Sequence, residues 1–187
     1  IYTGYGDGVG RIDPSTGQRE LFVAIPGFDG EGARTMDFSP ALDRLYVGTH
    51  MSEVWQVELD GNLEPVGSPT LFVDLSGGAG CPDWDNSPGC WHDAVAVDVC
   101  GNVYVAAYGS NSLLRVSPDG SQIVNIRDNN DDSDMFGHGI TWGSGLGGFA
   151  SDAIYMPTPK IDTFPVAEVR VGVPYRSWGG TVLNGPG

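Results

Sequence analysis

Short runs of alternating apolar and polar residues recur along the whole chain, and no stretch of ten or more residues carries apolar positions at helical spacing. An aliphatic–tyrosine pair anchors the pattern: Ile1-Tyr2, Leu45-Tyr46, Val103-Tyr104 and Ile154-Tyr155, 44 to 58 residues apart. Downstream of each pair lies a second run: VGRIDPSTG (9–17), VWQVELDGN (54–62), LLRVSPDGS (113–121) and VAEVRVGVP (166–174). Three of these end in turn chemistry, at Asp13 to Gly17, Asp60-Gly61 and Asp119-Gly120. A third run follows those turns, as ELFVAI (20–25), TLFVDL (70–75) and QIVNI (122–126). A further run precedes each of the last three tyrosine pairs: RTMDF (34–38), DAVAV (93–97) and HGITW (138–142). Alternating runs bounded by Gly, Asp and Pro read as strands joined by hairpins.

Each unit is thus a four-stranded antiparallel meander, and a repeat of this length with four strands is the signature of a propeller blade. The expected fold is all-β, a β-propeller with about four blades in this chain. Residues 1–174 form the blades and residues 175–187 a C-terminal tail. The first blade lacks its innermost strand, and the last lacks a clear outermost one, with Thr181 to Leu183 the sole short candidate. A four-bladed ring closes only if the tail supplies the missing strand. A six-bladed ring, with the other blades in additional sequence or in another chain, fits better, because an open arc exposes sheet edges and faces. The chain starts at Ile1 rather than Met, so an upstream segment is expected to have been removed.

The stretch HDAVAVDVCGNVYVAAYGSNSLLRVSPDG resembles the repeat of six-bladed propellers of the senescence marker protein/gluconolactonase superfamily. It is equally similar to NHL repeats, with Asp98, Gly101, Asn102, Tyr104 and Val105 matching the shared pattern. The gluconolactonase resemblance implies a central divalent metal, usually calcium, held by Asn, Asp and Glu at the starts of innermost strands, often within Pro-Asn-Gly. This chain has no Pro-Asn-Gly, and the matching positions are Arg34, Asp93 and His138. Of these, Asp93 alone is a good calcium ligand type.

Innermost strands line the axial channel of a propeller, so Arg34, Asp93 and His138 are expected to converge there. Asp93 and His138 are candidates for water attack on a lactone or ester, as base or metal ligand and assistant. The same set equally makes an ordinary polar binding mouth. His92 precedes Asp93 and points to the other face of an extended strand, and His50 is expected on the surface.

The segment RDNNDDSDMFGHG (127–139) joins an outer strand to the next inner one. Asp128, Asn130, Asp132 and Asp134 place oxygen ligands on alternate residues, the spacing that suits calcium. An EF-hand-type glycine is absent, with Ser133 in its place, and no Glu closes the loop, so a solvated acidic loop is the alternative. One blade earlier, CPDWDNSPGC occupies the equivalent crossover. Its Cys81 and Cys90 are expected to form a disulfide, and Trp84 and Trp91 either bind a sugar, cation or protein or cover the sheet. Cys100 is left over, because a strand separates it from Cys90 by more than a disulfide can bridge. GSGLGGF (143–149) joins two strands rather than opening a helix, so it reads as a wide hairpin connection and not a phosphate loop.

Composition narrows the function further. Nine basic against 24 acidic residues leave a net charge of −15, which repels nucleic-acid phosphates and acidic lipid surfaces and favours cations. No apolar run approaches the roughly 20 residues that span a bilayer. A stapled, turn-rich loop favours an oxidising compartment, secreted or periplasmic. Two functions follow: a binding or scaffold propeller holding a protein or saccharide partner with calcium as support, and a calcium-dependent lactone or ester hydrolase.

Overall fold

The computed structural model describes residues 1–26, 33–49, 52–76, 92–107, 112–128, 139–157 and 166–175. Every regular element among them is a strand. The first sheet contains β1 (Tyr2–Tyr5), β2 (Gly8–Ile12) and β3 (Arg19–Ala24). The second contains β4 (Thr35–Phe38), β5 (Arg44–Gly48), β6 (Glu53–Glu58) and β7 (Thr70–Asp74). The third contains β8 (His92–Val97), β9 (Val103–Ala107), β10 (Ser112–Val116) and β11 (Ile123–Asp128). The fourth contains β12 (Thr141–Trp142), β13 (Ala153–Pro157) and β14 (Val166–Arg170). Strand order in each sheet follows the chain, and every pairing is antiparallel. These are the blades of a propeller, as the repeat predicts.

Side-chain alternation decides how the blades stack. In β5, Leu45 and Val47 face the first sheet, where they pack with Val9 and Val23. Tyr46, between them, faces the third sheet and packs with Val95 and Val105. In β9 the same division sends Val103 and Val105 toward the second sheet and Tyr104 toward Ile154 and Met156 of the fourth. A middle blade therefore buries both faces, which is why all five residues of VYVAA are buried.

A bulge repeats at one position in three blades. The register between the third and fourth strands skips one residue, at Phe22, Phe72 and Ile126. Each extra side chain turns into an inter-blade core. The bulge bends the outer strand, and the large apolar residue is what anchors it.

Two element limits differ from the sequence reading. The third blade's outer strand runs through Asp128, opposite Ser112, so Asp128 is the last strand residue rather than the first of a loop. The fourth blade's inner strand is only Thr141–Trp142. After β14 the chain makes no outer strand among the described residues. It turns at Val171 and Gly172, whose amides donate to the Asp152 carbonyl, and reaches the third sheet. There the Val99 amide donates to the Pro174 carbonyl at 3.0 Å, and Tyr175 bridges Asp98.

Candidate functional site

The innermost strands β4 and β8 lie side by side and run in the same direction. The Val95 amide donates to Thr35 Oγ1 and the Val97 amide to Asp37 Oδ2, both at 2.8 Å. β8 has a ladder partner only in β9, so these amides of its free edge take side-chain acceptors from the neighbouring blade. This alignment brings Arg34 and Asp93 to the same end of the channel. Arg34 is exposed at the start of β4, and Asp93 is half-buried in a bulge between the His92–Ala107 and Ala94–Ala106 pairs. Neither is a bare charge, since each has interaction partners.

His92, next to Asp93, is fully buried on β8, and neither ring nitrogen has a hydrogen-bond partner among the described residues. Burial lowers its pKa to about 4, against a smaller upward pull from the Asp74 carboxylate, so the ring is neutral at physiological pH. Asp74 closes the outer strand of the preceding blade and accepts from the Ser76 amide and the Ser52 hydroxyl. The direction expected for His92, away from Asp93's face, thus corresponds to a place inside the blade interface.

Beyond these residues the three inner strands line an open cleft of about 330 Å³. Met36 and Asp37, Val95 and Ala96, and Ile140, Thr141 and Trp142 form its walls, and Tyr175 joins them from the segment after β14. Tyr175 stacks on Trp142 with ring centroids 5.9 Å apart, and its hydroxyl lies 3.4 Å from Asp37 Oδ1. Tyr104 meets the Trp142 ring edge-on at 5.4 Å.

Many of the acidic residues hold turns. Asp13 accepts from the Ser15 amide and hydroxyl, and Asp60 from the amides of Asn62 and Glu64. These bonds hold both carboxyls below the usual carboxylate range. Asp119, bonded first by the Ser117 hydroxyl and then by Ser121, is held at about 2. Asp98 is fully buried and accepts from the amides of Cys100 and Asn102, the Asn102 side chain and the Tyr104 hydroxyl, at 2.7 to 3.0 Å. Gly101 completes that turn at φ 85°, a conformation that favours glycine. The D-x-x-G-N stretch is therefore a buried staple of the blade.

Of the residues singled out from sequence, Arg34 precedes β4 and Asp93 lies near the start of β8. His138, Asn130, Asp132, Asp134, Trp84, Trp91, Cys81, Cys90 and His50 lie outside the described residues, and of Asp128 only the backbone pairing is described. Cys100 is free and exposed. No group of three or more His, Cys, Asp or Glu side chains suited to a metal occurs among the described residues. Calcium does not fit the described part of the mouth: Arg34 is a cation without an acceptor atom, and Asp93 supplies one carboxylate. Sequence reading missed Asp37 and Tyr175. Asp37 is one acidic residue among 24, and its partner amide is 60 residues away.

Residues 29–128, more than half of the chain and the segment that contains the second and third blades, match the family model described as the SMP-30/Gluconolactonase/LRE-like region. No curated protein matches the chain. Among solved structures, a chain of the nidogen/laminin complex is similar with a TM-score of 0.65 and 12% identity, over 91% of this chain and 57% of that one. A luciferin-regenerating enzyme is similar at 0.61 and 14%, over 89% and 52%. A calcium-binding protein, regucalcin, from Agrobacterium tumefaciens str. C58 is similar at 0.51 and 14%, over 81% and 62%. At these identities the likeness is one of fold. The chain spans little more than half the length of these neighbours.

Proposed function

Because this chain belongs to the SMP-30/Gluconolactonase/LRE-like family, we propose that it is part of an extracytoplasmic propeller whose crossover face holds a protein or saccharide partner, with calcium as structural support. The four sheets are read as an arc of a six-bladed ring, completed by additional sequence or by another chain. The observation that carries the binding reading is Arg34. It stands exposed where the family resemblance implies a metal-ligating carboxylate or amide, and a guanidinium has no acceptor atom for a cation. The one carboxylate deeper on the same strand, Asp37, accepts the Val97 amide and so holds blades together. Localisation outside the cytoplasm is supported by the Cys81 and Cys90 spacing in a loop rich in Pro, Asn and Gly. No helix among the described residues is long and apolar enough to cross a membrane.

Calcium belongs to the acidic crossover in this reading, at Asp128, Asn130, Asp132 and Asp134. A thermal melt with excess EDTA and then with restored calcium tests it. A calcium-specific rise of several degrees that Asp132→Ala abolishes is the expected result. No response in the parent protein leaves a solvated loop and removes the ion from the proposal.

A second reading, a calcium-dependent hydrolase of lactones or esters using Asp93 and His138, is favoured by the family match itself. Calcium-dependent hydrolysis of a simple lactone, lost in Asp93→Asn with an unchanged melt, would establish it over the binding reading.

A further inference from the structure

The segment after β14 does what no repeat predicts. In the second and third blades the third strand turns back into an outer fourth strand. In the fourth blade, residues 171–175 leave the sheet and cross to the inner strands. Four backbone contacts and two made by the Tyr175 side chain fix this crossing. Val171 and Gly172 donate to the Asp152 carbonyl at 3.1 and 3.2 Å, and Gly172 takes φ 72°. Pro174 accepts the Val99 amide at 3.0 Å, and Tyr175 bridges Asp98. The Tyr175 ring lies on Trp142, and its hydroxyl turns toward Asp37. One aromatic side chain thereby touches inner-strand residues of the second and fourth blades while its backbone holds the third.

Arg34 and Asp93 stand at the start of β4 and β8, whereas Asp98 and Val99 follow the last residue of β8. Tyr175 is therefore at the opposite end of the channel from the mouth assigned to partner binding. We propose that residues 171–175 form a strap that floors the axial cleft. Tyr175 is its stopper, closing the cleft at the end away from the crossover face. This rests on the reading of that face as the binding mouth, and it makes Tyr175 the residue that limits how deep a ligand can enter. Flat stacking on Trp142 closes the gap with little loss of side-chain freedom, since a tyrosine has only two rotatable side-chain bonds.

Acrylamide quenching of tryptophan fluorescence tests the floor without a ligand, so its outcome is independent of what the mouth binds. The Trp142 contribution is isolated by comparing each protein with its Trp142→Phe counterpart. In the parent it should be poorly quenched. In Tyr175→Ala, with far-UV circular dichroism unchanged, its quenching constant should rise at least twofold, and in Tyr175→Phe it should stay near the parent value because the ring remains. Equal quenching of Trp142 in the parent and in Tyr175→Ala would overturn the proposal. If Tyr175→Ala fails to fold, hydrogen exchange of the Val99 amide in the parent decides. Slow exchange supports a seated strap, and exchange at the rate of an open turn overturns it.

Discussion

The Val97 amide donates to Asp37 Oδ2 at 2.8 Å, from the innermost strand of one blade to that of the next. Sheet pairing cannot make this bond, because β4 and β8 belong to different sheets. The carboxylate also accepts the Phe38 amide at 2.8 Å. Asp37→Ala leaves both amides without that acceptor in a part-buried position and is expected to cost about 2 to 3 kcal/mol in urea unfolding. Asp37→Asn keeps one acceptor oxygen but sets an NH2 donor against the other amide, so it should recover only part of that loss. No measurable loss in Asp37→Ala would mean that the blade interface does not depend on this carboxylate.

Asp98 gathers four donors, three from its own turn and the fourth from Tyr104 on β9. Burial raises the tyrosine pKa, and the neighbouring Asp98 charge raises it further. Asp98→Ala should destabilise by about 3 kcal/mol or more, since several buried donors lose their acceptor together. Tyr104→Phe removes one of the four bonds and should cost about 1 kcal/mol. Chemical denaturation of the two variants checks the ratio.

His92 sets a pH limit on stability. Its folded pKa of about 4 lies below the ordinary 6.5, so between these values the unfolded chain binds the proton and the folded one does not. Stability is therefore full above about 6.5 and falls as the pH drops toward 4, by an amount on the order of 3 kcal/mol. Below the usual carboxylate range Asp13, Asp60, Asp74 and Asp119, all held low, add a further loss in the same direction. Melts at pH 7.5 and 4.5 should differ markedly for the parent and much less for His92→Leu. An unchanged difference in the variant would assign the acid sensitivity to other groups.

Gly48 has no room for a side chain. A Cβ there would lie 2.6 Å from Thr35 Cγ2 and 2.9 Å from Val95 Cγ2, the two residues joined by the Thr35 hydroxyl. Gly48→Ala is expected to destabilise by about 1 to 3 kcal/mol through this overpacking. Thr35→Ser removes the closer methyl and keeps the acceptor, so the same substitution in that background should cost measurably less. A double-mutant cycle from thermal melts gives the coupling.

The blades were readable because each strand carries its own local signal. Leu45-Tyr46 and Val103-Tyr104 mark equivalent strands, and Asp60-Gly61 and Asp119-Gly120 mark equivalent turns that the structure closes with side-chain and backbone bonds. The bulges were not readable, since Phe22, Phe72 and Ile126 differ from their neighbours only in register. Of the candidate site, the repeat made legible that Arg34 stands just before β4 and Asp93 on β8. The burial of His92 did not, because an alternating pattern gives the face of a residue and not what covers it.

Hydrophobic period, turn residues and repeat length, all properties of neighbouring residues, determined by themselves that this chain builds antiparallel four-stranded units of a propeller. Tertiary structure alone decided how the channel is built. The Thr35 and Asp37 bonds to β8 join residues 60 apart, and the Tyr175 to Asp37 contact spans 138. Such pairs carry no local periodicity, because their geometry exists only once the blades have stacked.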